Sequence, residues 1–201
     1  MSKRILSITA AVCLVALCFA AMSGCTGKSD PPPGVAAVYG DTEITWENIE
    51  MTKDLMMFYG QSGDQLPTNR ELVEERVRDI ITEEEALRRG LTVTQEEIDD
   101  FIQGQKDTHE IPEVKEAMEE YFTAFGLTEE EYFRILEEGA PSLILKGKLS
   151  TELKKEFCQQ NGLEYTEGST QMGMFEYVDD YLDQLFEANK HKIVYYLDAK
   201  A

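Results

Sequence analysis

The residues that could do chemistry in this chain of 201 amino acids are few and widely spaced. The two histidines, His109 and His191, are 82 positions apart, and this separation does not indicate a metal site. The sequence contains no phosphate-binding loop, no G-x-S-x-G nucleophile motif, no H-E-x-x-H zinc motif and no C-x-x-C pair. Its many carboxylates form no acid–base pair at a recognisable spacing. We therefore predict no catalytic residue, no metal and no cofactor, and no enzymatic activity.

The cysteines indicate lipid attachment rather than catalysis. Cys25 follows Met22-Ser-Gly, a sequence that resembles the bacterial lipobox, in which the leader is cut before the cysteine and that cysteine is lipidated. Cys13 and Cys18 would leave with the leader, so Cys158 would be the one free thiol and no intramolecular disulfide could form. Because it follows Phe157, Cys158 is predicted to be a small buried apolar residue rather than a nucleophile.

The residues before Cys25 have the layout of an export signal. Lys3 and Arg4 precede 17 uncharged residues, 5–21, and this run is short for a membrane span. We predict a lipoprotein signal peptide over 1–24, a lipidated Cys25 and an extracytoplasmic protein that is anchored by lipid to a bacterial cell membrane. A lipobox usually has Leu where Met22 stands, and an uncleaved signal anchor and a plain secretory signal are the alternatives.

The charge balance excludes one class of partner. Nineteen Lys and Arg residues stand against 39 Asp and Glu residues, which gives a formal net charge of −20. Because such a protein repels phosphates, nucleic acid is not expected as a partner. Residues 26–34 are polar and then rich in proline, so we predict a tether over 25–34 that holds a folded domain, 35–201, away from the membrane.

Four threonines predict helix starts, because each is followed three residues later by a side chain that can complete a capping box. The pairs are Thr68 with Glu71, Thr94 with Glu97, Thr128 with Glu131 and, in a weaker form, Thr45 with Asn48. Gly139 and Pro141 interrupt the long pattern that begins at Thr128, so we expect a kink or a break there. The acidic runs 83–85 and 129–131 are predicted to be solvated faces and caps.

The apolar spacing predicts amphipathic helices after these starts. One helix over 68–89 ends at Gly90, another begins at Pro112 and ends at Gly126, and the last covers about 175–190. The apolar face of the first of these helices consists of Leu72, Val73, Val77, Ile80, Ile81 and Leu87.

Two short segments predict strands instead. The first is 35–39, which a Gly40-Asp41 turn joins to 42–44. The second is 192–197, which has apolar residues on both faces, so we expect other elements to cover both faces of this strand. Because a lone strand cannot satisfy its backbone, we expect the first and last segments to pair. The predicted fold class is mainly α, a bundle or cradle of amphipathic helices with a small β-sheet that pairs the N-terminal and C-terminal strands.

Flexible apolar side chains follow the first helix start. Met56, Met57, Phe58 and Tyr59, with Met51 one turn earlier, are candidate contacts for client polypeptides, because methionine and aromatic side chains repack readily. Burial in the core is the alternative for each one of them.

Three segments, in this order and spacing, resemble the SurA/PrsA-type extracytoplasmic chaperones. They are Val35-Ala-Ala-Val-Tyr-Gly-Asp-Thr-Glu-Ile-Thr-Trp-Glu-Asn-Ile49, Ile80-Ile-Thr-Glu-Glu-Glu-Ala-Leu-Arg-Arg-Gly-Leu-Thr-Val-Thr-Gln-Glu-Glu-Ile98 and Phe125-Gly-Leu-Thr-Glu-Glu-Glu-Tyr-Phe133. They are similar to the family's strand-and-turn opening, to its helix end before an apolar-Val-Thr cap, and to its Gly-apolar-Thr helix start. The resemblance covers about 35–157, and 177–197 is similar to the helix and strand that finish the family's chaperone domain.

The resemblance implies a SurA N-terminal-like domain over 35–201, closed by 175–197. The family usually inserts a parvulin-type prolyl isomerase domain after these helices, but here 16 residues, 159–174, are available, and an independent fold needs about 40. We therefore expect a chaperone-like lipoprotein that binds unfolded or exported client proteins and lacks isomerase activity. The alternative is a dedicated assembly or scaffold lipoprotein that binds one specific partner, and a homodimer is compatible with the sequence.

Overall fold

The computed structural model describes residues 32–168 and 171–199, and within them six α-helices and three short β-strands. The signal peptide predicted over 1–24, Cys25 and most of the tether predicted over 25–34 lie outside the described residues. The strands are β1 (Val35–Tyr39), β2 (Thr42–Thr45) and β3 (Ile193–Tyr195). The helices are α1 (Trp46–Phe58), α2 (Asn69–Arg88), α3 (Gln95–His109), α4 (Pro112–Phe125), α5 (Glu129–Gln160) and α6 (Met174–Asn189). The predicted fold class is confirmed.

All four predicted helix starts are confirmed as complete capping boxes. At the start of α1, α2, α3 and α5, the threonine hydroxyl accepts a hydrogen bond from the backbone N–H three residues later, and the side chain at that position accepts one from the threonine N–H. Asn48 completes its box as fully as the glutamates do. Helix α4 begins at Pro112 and ends at Gly126, whose φ of +64° is a left-handed conformation that glycine adopts without strain.

The sheet is antiparallel with the strand order β2-β1-β3. Ala37 lies opposite Tyr195 and Tyr39 lies opposite Ile193, so the predicted pairing of the first and last segments is confirmed. Strand β3 has three residues rather than the six predicted over 192–197, because helical turns at Lys190–Lys192 and Leu197–Ala199 flank it.

Strand β3 is covered on one face, and the predicted cover on both faces is wrong. Ile193 is buried and Tyr195 packs against the same apolar cluster, whereas Val194 is 50% exposed. Val194 lies opposite half-buried Val38, and that cross-strand pair stays outside the core cluster that contains Ile193 and Tyr39. The second face of the sheet is therefore partly open at this edge strand.

Two apolar clusters form the core. The first joins the sheet to α1, α2 and α6, with Ile49, Val73, Val77 and Phe186 among its buried members. The second joins α2, α5 and α6 and contains Ala86, Leu145, Leu149, Leu153 and Val178. Leu87, predicted on the apolar face of α2, is exposed instead, because Ala86 occupies the core position at the last turn. None of the described helices is long and apolar enough to cross a membrane.

Helix α5 continues unbroken for 32 residues through Gly139 and Pro141, so, of the kink or break predicted there, the break is wrong. A proline inside a helix removes one backbone hydrogen bond and crowds the preceding turn. Ala140 is completely buried beside the proline, and the following turns place Leu145, Leu149 and Leu153 in the second cluster. Tertiary packing on both sides of the proline therefore offsets its local cost.

Candidate functional site

Helix α4 is amphipathic, but its apolar face is only half covered. Its apolar residues recur at helical spacing, yet no residue of α4 is buried, whereas α2 buries seven. The half-buried residues of this face include Val114, Met118, Tyr121, Phe122 and Phe125. An apolar helix face normally packs into a core. Here the face leaves apolar surface in contact with solvent.

The end of α1 meets this surface through Phe58. The centroid of the Phe58 ring lies 5.6 Å from the centroids of both Tyr121 and Phe125, with the rings edge to face. Tyr59 extends the surface outward, since its ring lies 5.4 Å from that of Phe58 and its side chain is 71% exposed.

The first turns of α5 continue the same line of rings. Tyr132 lies 6.0 Å from Tyr121 and 5.5 Å from Phe122, and Phe133 lies 5.3 Å from Tyr132, all measured between ring centroids. We refer to these half-buried residues of α1, α4 and α5 as the aromatic row: Phe58, Tyr121, Phe122, Phe125, Tyr132 and Phe133. Each ring pair contributes about 0.5–1.5 kcal/mol beyond its buried area. The row therefore joins three helices while its rings stay partly open.

His109 closes one end of the row at the last residue of α3. Its ring is buried, with centroids 5.9 Å from Phe122 and 5.8 Å from Phe133. Nδ1 lies 3.0 Å from Oε1 of Glu129 at the start of α5. Nε2 has no hydrogen-bond partner among the described residues. When Nδ1–H donates to Glu129, Nε2 is an unpaired acceptor between two phenyl rings, which is unfavourable.

The four predicted client-contact residues lie in different environments. Met56 packs against the first core cluster, so for this residue the core alternative holds. Phe58 belongs to the aromatic row, and Met57, which is 48% exposed, lies with Tyr59 at the solvent. Phe58 and Tyr59 therefore border the open surface, whereas Met57 is exposed to solvent and Met56 belongs to the core.

The rings of α4 and α5 were not predicted from the sequence as part of a site. Their spacing served only to predict helices, because apolar spacing does not distinguish a half-covered face from a buried one. The available signal was aromatic density, since five of the 18 Phe and Tyr residues fall within the 13 positions 121–133.

Partial burial sets the electrostatics of the row. It raises the pKa of Tyr121 and of Tyr132, with a further contribution from the nearby Tyr59, so both hydroxyls stay neutral at physiological pH. Beyond Phe133 lies a cleft of about 720 Å³, which Ile102 and Lys106 also line. The site can thus offer ring faces, neutral hydroxyls and open apolar surface, which suits binding rather than bond-making chemistry.

A second cluster of perturbed groups is structural. The carboxylate of Glu85 accepts hydrogen bonds from Arg88 at 2.6 Å, Arg89 at 2.8 Å and the Tyr181 hydroxyl at 2.5 Å, and it is 3% exposed. These donors, Arg88 foremost, lower its pKa to about 2 against the effect of burial. The prediction that the run 83–85 is a solvated face is therefore wrong for Glu85, because the two arginines compensate its charge. With its oxygens occupied, this carboxylate connects α2 to α6 rather than forming a reactive site.

The cysteine and the groups of possible metal ligands form no further site among the described residues. Cys158 is buried, as predicted. No group of three or more His, Cys, Asp and Glu side chains in 32–168 and 171–199 is placed to hold a metal ion. No protein-family model matches the chain, and no curated protein or solved structure matches it.

Proposed function

We propose that the processed protein is a lipid-anchored, extracytoplasmic chaperone-like protein that binds unfolded segments of exported proteins. The observation that carries this proposal is the aromatic row, which consists of six half-buried rings. Its central helix, α4, has no buried residue, so its apolar face stays partly open to solvent. Rings in edge contact can tilt to admit an apolar side chain, and Met57, the exposed neighbour of Phe58 in the chain, offers further flexible apolar surface. The resemblance of 35–157 to the SurA/PrsA-type chaperones supports the same function.

The energetics favour weak, broad binding. Each Å² of apolar surface removed from water contributes about 25 cal/mol, so an unfolded segment gains affinity by covering the open edges of the rings. A row without a deep enclosed pocket imposes little shape selection on that segment. Such a surface fits many unfolded chains, whereas a native partner would need a larger complementary interface.

An aggregation assay tests the proposal. Near-stoichiometric amounts of the processed protein are expected to suppress the aggregation of several unrelated proteins that are diluted from denaturant. Suppression for none of them, together with capture of one native partner, would support a dedicated scaffold lipoprotein instead.

Matched variants connect that activity to the row. Changing Tyr121 and Phe125 to Ser is expected to remove most of the suppression, while circular dichroism stays unchanged because neither side chain is in the buried core. The control changes Met172 and Phe175 to Ser, two exposed apolar residues outside the row. Equal activity of the two double variants would contradict the assignment of the row.

The proposal includes no isomerase activity. Helices α5 and α6 are separated by residues 161–173, a length far below that of an independent fold. The rate of a proline-limited refolding reaction is expected to be the same with and without the protein. A concentration-dependent acceleration of that reaction would refute this part of the proposal.

The anchor is testable at Cys25. Changing Cys25 to Ala removes the thiol that would carry the lipid, so the expected product is unprocessed or released protein, without the membrane-bound mature form. Membrane fractionation and the mass of the mature N-terminus report the result, with Cys158→Ala as the control. A Cys25→Ala protein that is cleaved and still sediments with membranes would exclude lipidation at this residue.

A further inference from the structure

The solvent-facing side of α4 carries negative charge that no ion pair within the described part of the chain neutralises. Its four glutamates are exposed, and none of them forms an ion pair with another described residue. They are Glu113, Glu116, Glu119 and Glu120, and the one basic residue of the helix is Lys115. At 3.6 residues per turn, Glu119 is the glutamate nearest one edge of the apolar face of α4 and Glu113 the one nearest the other, whereas Glu116 lies on the opposite side of the helix. The open rings are therefore bordered by a carboxylate on either side, with Lys115 at the same edge as Glu119.

The acidity extends along the segment that contributes five of the six rings of the row. Residues 107–138 contain eleven Asp and Glu, against Lys115 and Arg134. Two of the carboxylates form ion pairs, Glu129 with His109 and Glu138 with Arg134, and two others, Asp107 and Glu131, accept hydrogen bonds from neutral groups. The surface around the row thus has a negative electrostatic potential, and the row at its centre is partly apolar. This combination favours a ligand that carries positive charge beside apolar groups.

We infer that the aromatic row is a docking surface for apolar polypeptide segments flanked by lysine or arginine, an inference that rests on the proposed chaperone function. The apolar side chains of such a segment cover the open rings, and its cations face the free carboxylates of α4. Lysine and arginine also bind ring faces, and this chain already places Lys106 Nζ 5.5 Å from the centroid of the Phe133 ring.

Other occupants fit the charge poorly. A second copy of the chain in a symmetric homodimer would bring the same carboxylates face to face, which is repulsive. An anionic membrane surface is repelled in the same way. A cationic, apolar segment is the occupant that both the rings and the carboxylates attract.

Three labelled peptides test this inference, with one apolar centre and flanks of Lys, Ser or Glu. Fluorescence anisotropy with the processed protein is expected to show about tenfold tighter binding of the Lys-flanked than of the Glu-flanked peptide at low salt. Raising the salt concentration should shrink this difference, because exposed charges are screened. Equal affinity for the three peptides, or no binding of any, would overturn the inference.

Two charge variants place the effect on α4. The test variant changes Glu113, Glu119 and Glu120 to Gln and leaves Glu116, on the opposite side of α4, unchanged. The control changes Glu176 to Gln and Asp179 and Asp180 to Asn, three exposed acids on α6. The test variant is expected to lose most of the Lys-over-Glu preference, and the control to keep it. An equal loss in both variants would mean that net charge acts at long range, and it would overturn the assignment to the row.

The two proposals fail in different ways. A protein that suppresses aggregation of acidic and basic clients equally well, and binds the three peptides alike, would keep the chaperone function and refute the charge selection. A protein that prefers the Lys-flanked peptide but suppresses no aggregation would keep the docking surface and refute the chaperone function.

Discussion

Glu85 is a residue whose ionisation is expected to stabilise the fold. It is buried on α2 where this helix packs against α6. Arg89 connects the same cluster to α5, since its Nη1 lies 2.6 Å from Oε1 of Glu156. Changing Glu85 to Gln leaves Arg89, whose side chain is 14% exposed, without its innermost partner, so the free energy of unfolding at pH 7 is expected to fall by roughly 3 kcal/mol. Urea denaturation measures it, with exposed Glu75→Gln as the control, for which little change is expected.

The same carboxylate predicts a pH dependence. Its pKa is about 2 in the folded protein, below the ordinary value of 4.5, so the folded state prefers the ionised form. This contribution to stability is complete above about pH 5 and is lost as the pH falls toward 2. The stability of the Glu85→Gln variant should therefore fall less steeply between pH 5 and 3 than that of the unmodified chain. Parallel curves would contradict the ionised assignment.

His109 is expected to respond differently to two substitutions. Changing His109 to Phe removes the unpaired Nε2 and keeps a ring between Phe122 and Phe133, at the loss of one bond to exposed Glu129. The expected result is unchanged stability or a gain of about 1 kcal/mol. Changing His109 to Ala leaves a cavity and is expected to cost about 2–4 kcal/mol. Thermal melting compares the two, and a Phe variant as unstable as the Ala variant would show that the Glu129 bond dominates.

Residue-scale prediction from the sequence succeeded where local spacing decides the structure and failed where distant partners decide it. The cap residues and buried Cys158 follow from neighbours in the chain. The burial of Glu85 depends on Tyr181, 96 positions away, and the role of Phe58 depends on Tyr121 and Phe125. No local pattern contains those contacts.

At the scale of elements, the capping boxes are expected to stabilise the helices they begin. Changing Thr128 to Ala removes the hydroxyl that accepts from the Glu131 N–H at the start of α5, and the expected cost is about 1 kcal/mol. The control, Thr123→Ala, removes an exposed hydroxyl within α4 that bonds only to the Glu119 carbonyl, so no loss is expected there. Equal melting temperatures for both variants would contradict the contribution of the cap.

Helix α5 shows why element boundaries could be predicted better than element continuity. Its start at Thr128 is a local signal, and the structure confirms it. Its passage through Pro141 is decided by Ala140, Leu145 and Leu149, which pack against other elements. The half-covered state of α4 is a tertiary property too, because the same apolar spacing would serve a buried helix.

For the molecule as a whole, the pairing of the first and last strands followed from an argument that needs no contact map. Both segments are short, and each has backbone groups that need a partner. The structure adds that β1 is central and that the helices cover only one face of β3.

The two faces of β3 are expected to respond differently to substitution. Ile193→Ala should lower the free energy of unfolding by about 2–4 kcal/mol, whereas Val194→Ala, on the open face, should change it by less than about 0.5 kcal/mol, as measured by urea denaturation.

Deleting residues 192–201 is expected to unfold the body formed by 33–199 rather than fray its end. The deletion removes buried Ile193, the Tyr195 ring that packs against Arg70 at 4.0 Å, and the Tyr195 hydroxyl bond to Glu74 at 2.9 Å. It also removes the ladder along β1, including the Tyr196 N–H bond to the Ala36 carbonyl at 2.8 Å. Each large side chain contributes roughly 1.5–3 kcal/mol, so the total rivals the 5–15 kcal/mol that holds a typical domain folded. Circular dichroism and urea titration should show a collapsed midpoint with loss of helical signal throughout, and a truncated chain that melts like the intact one would mean that β3 does not close the fold.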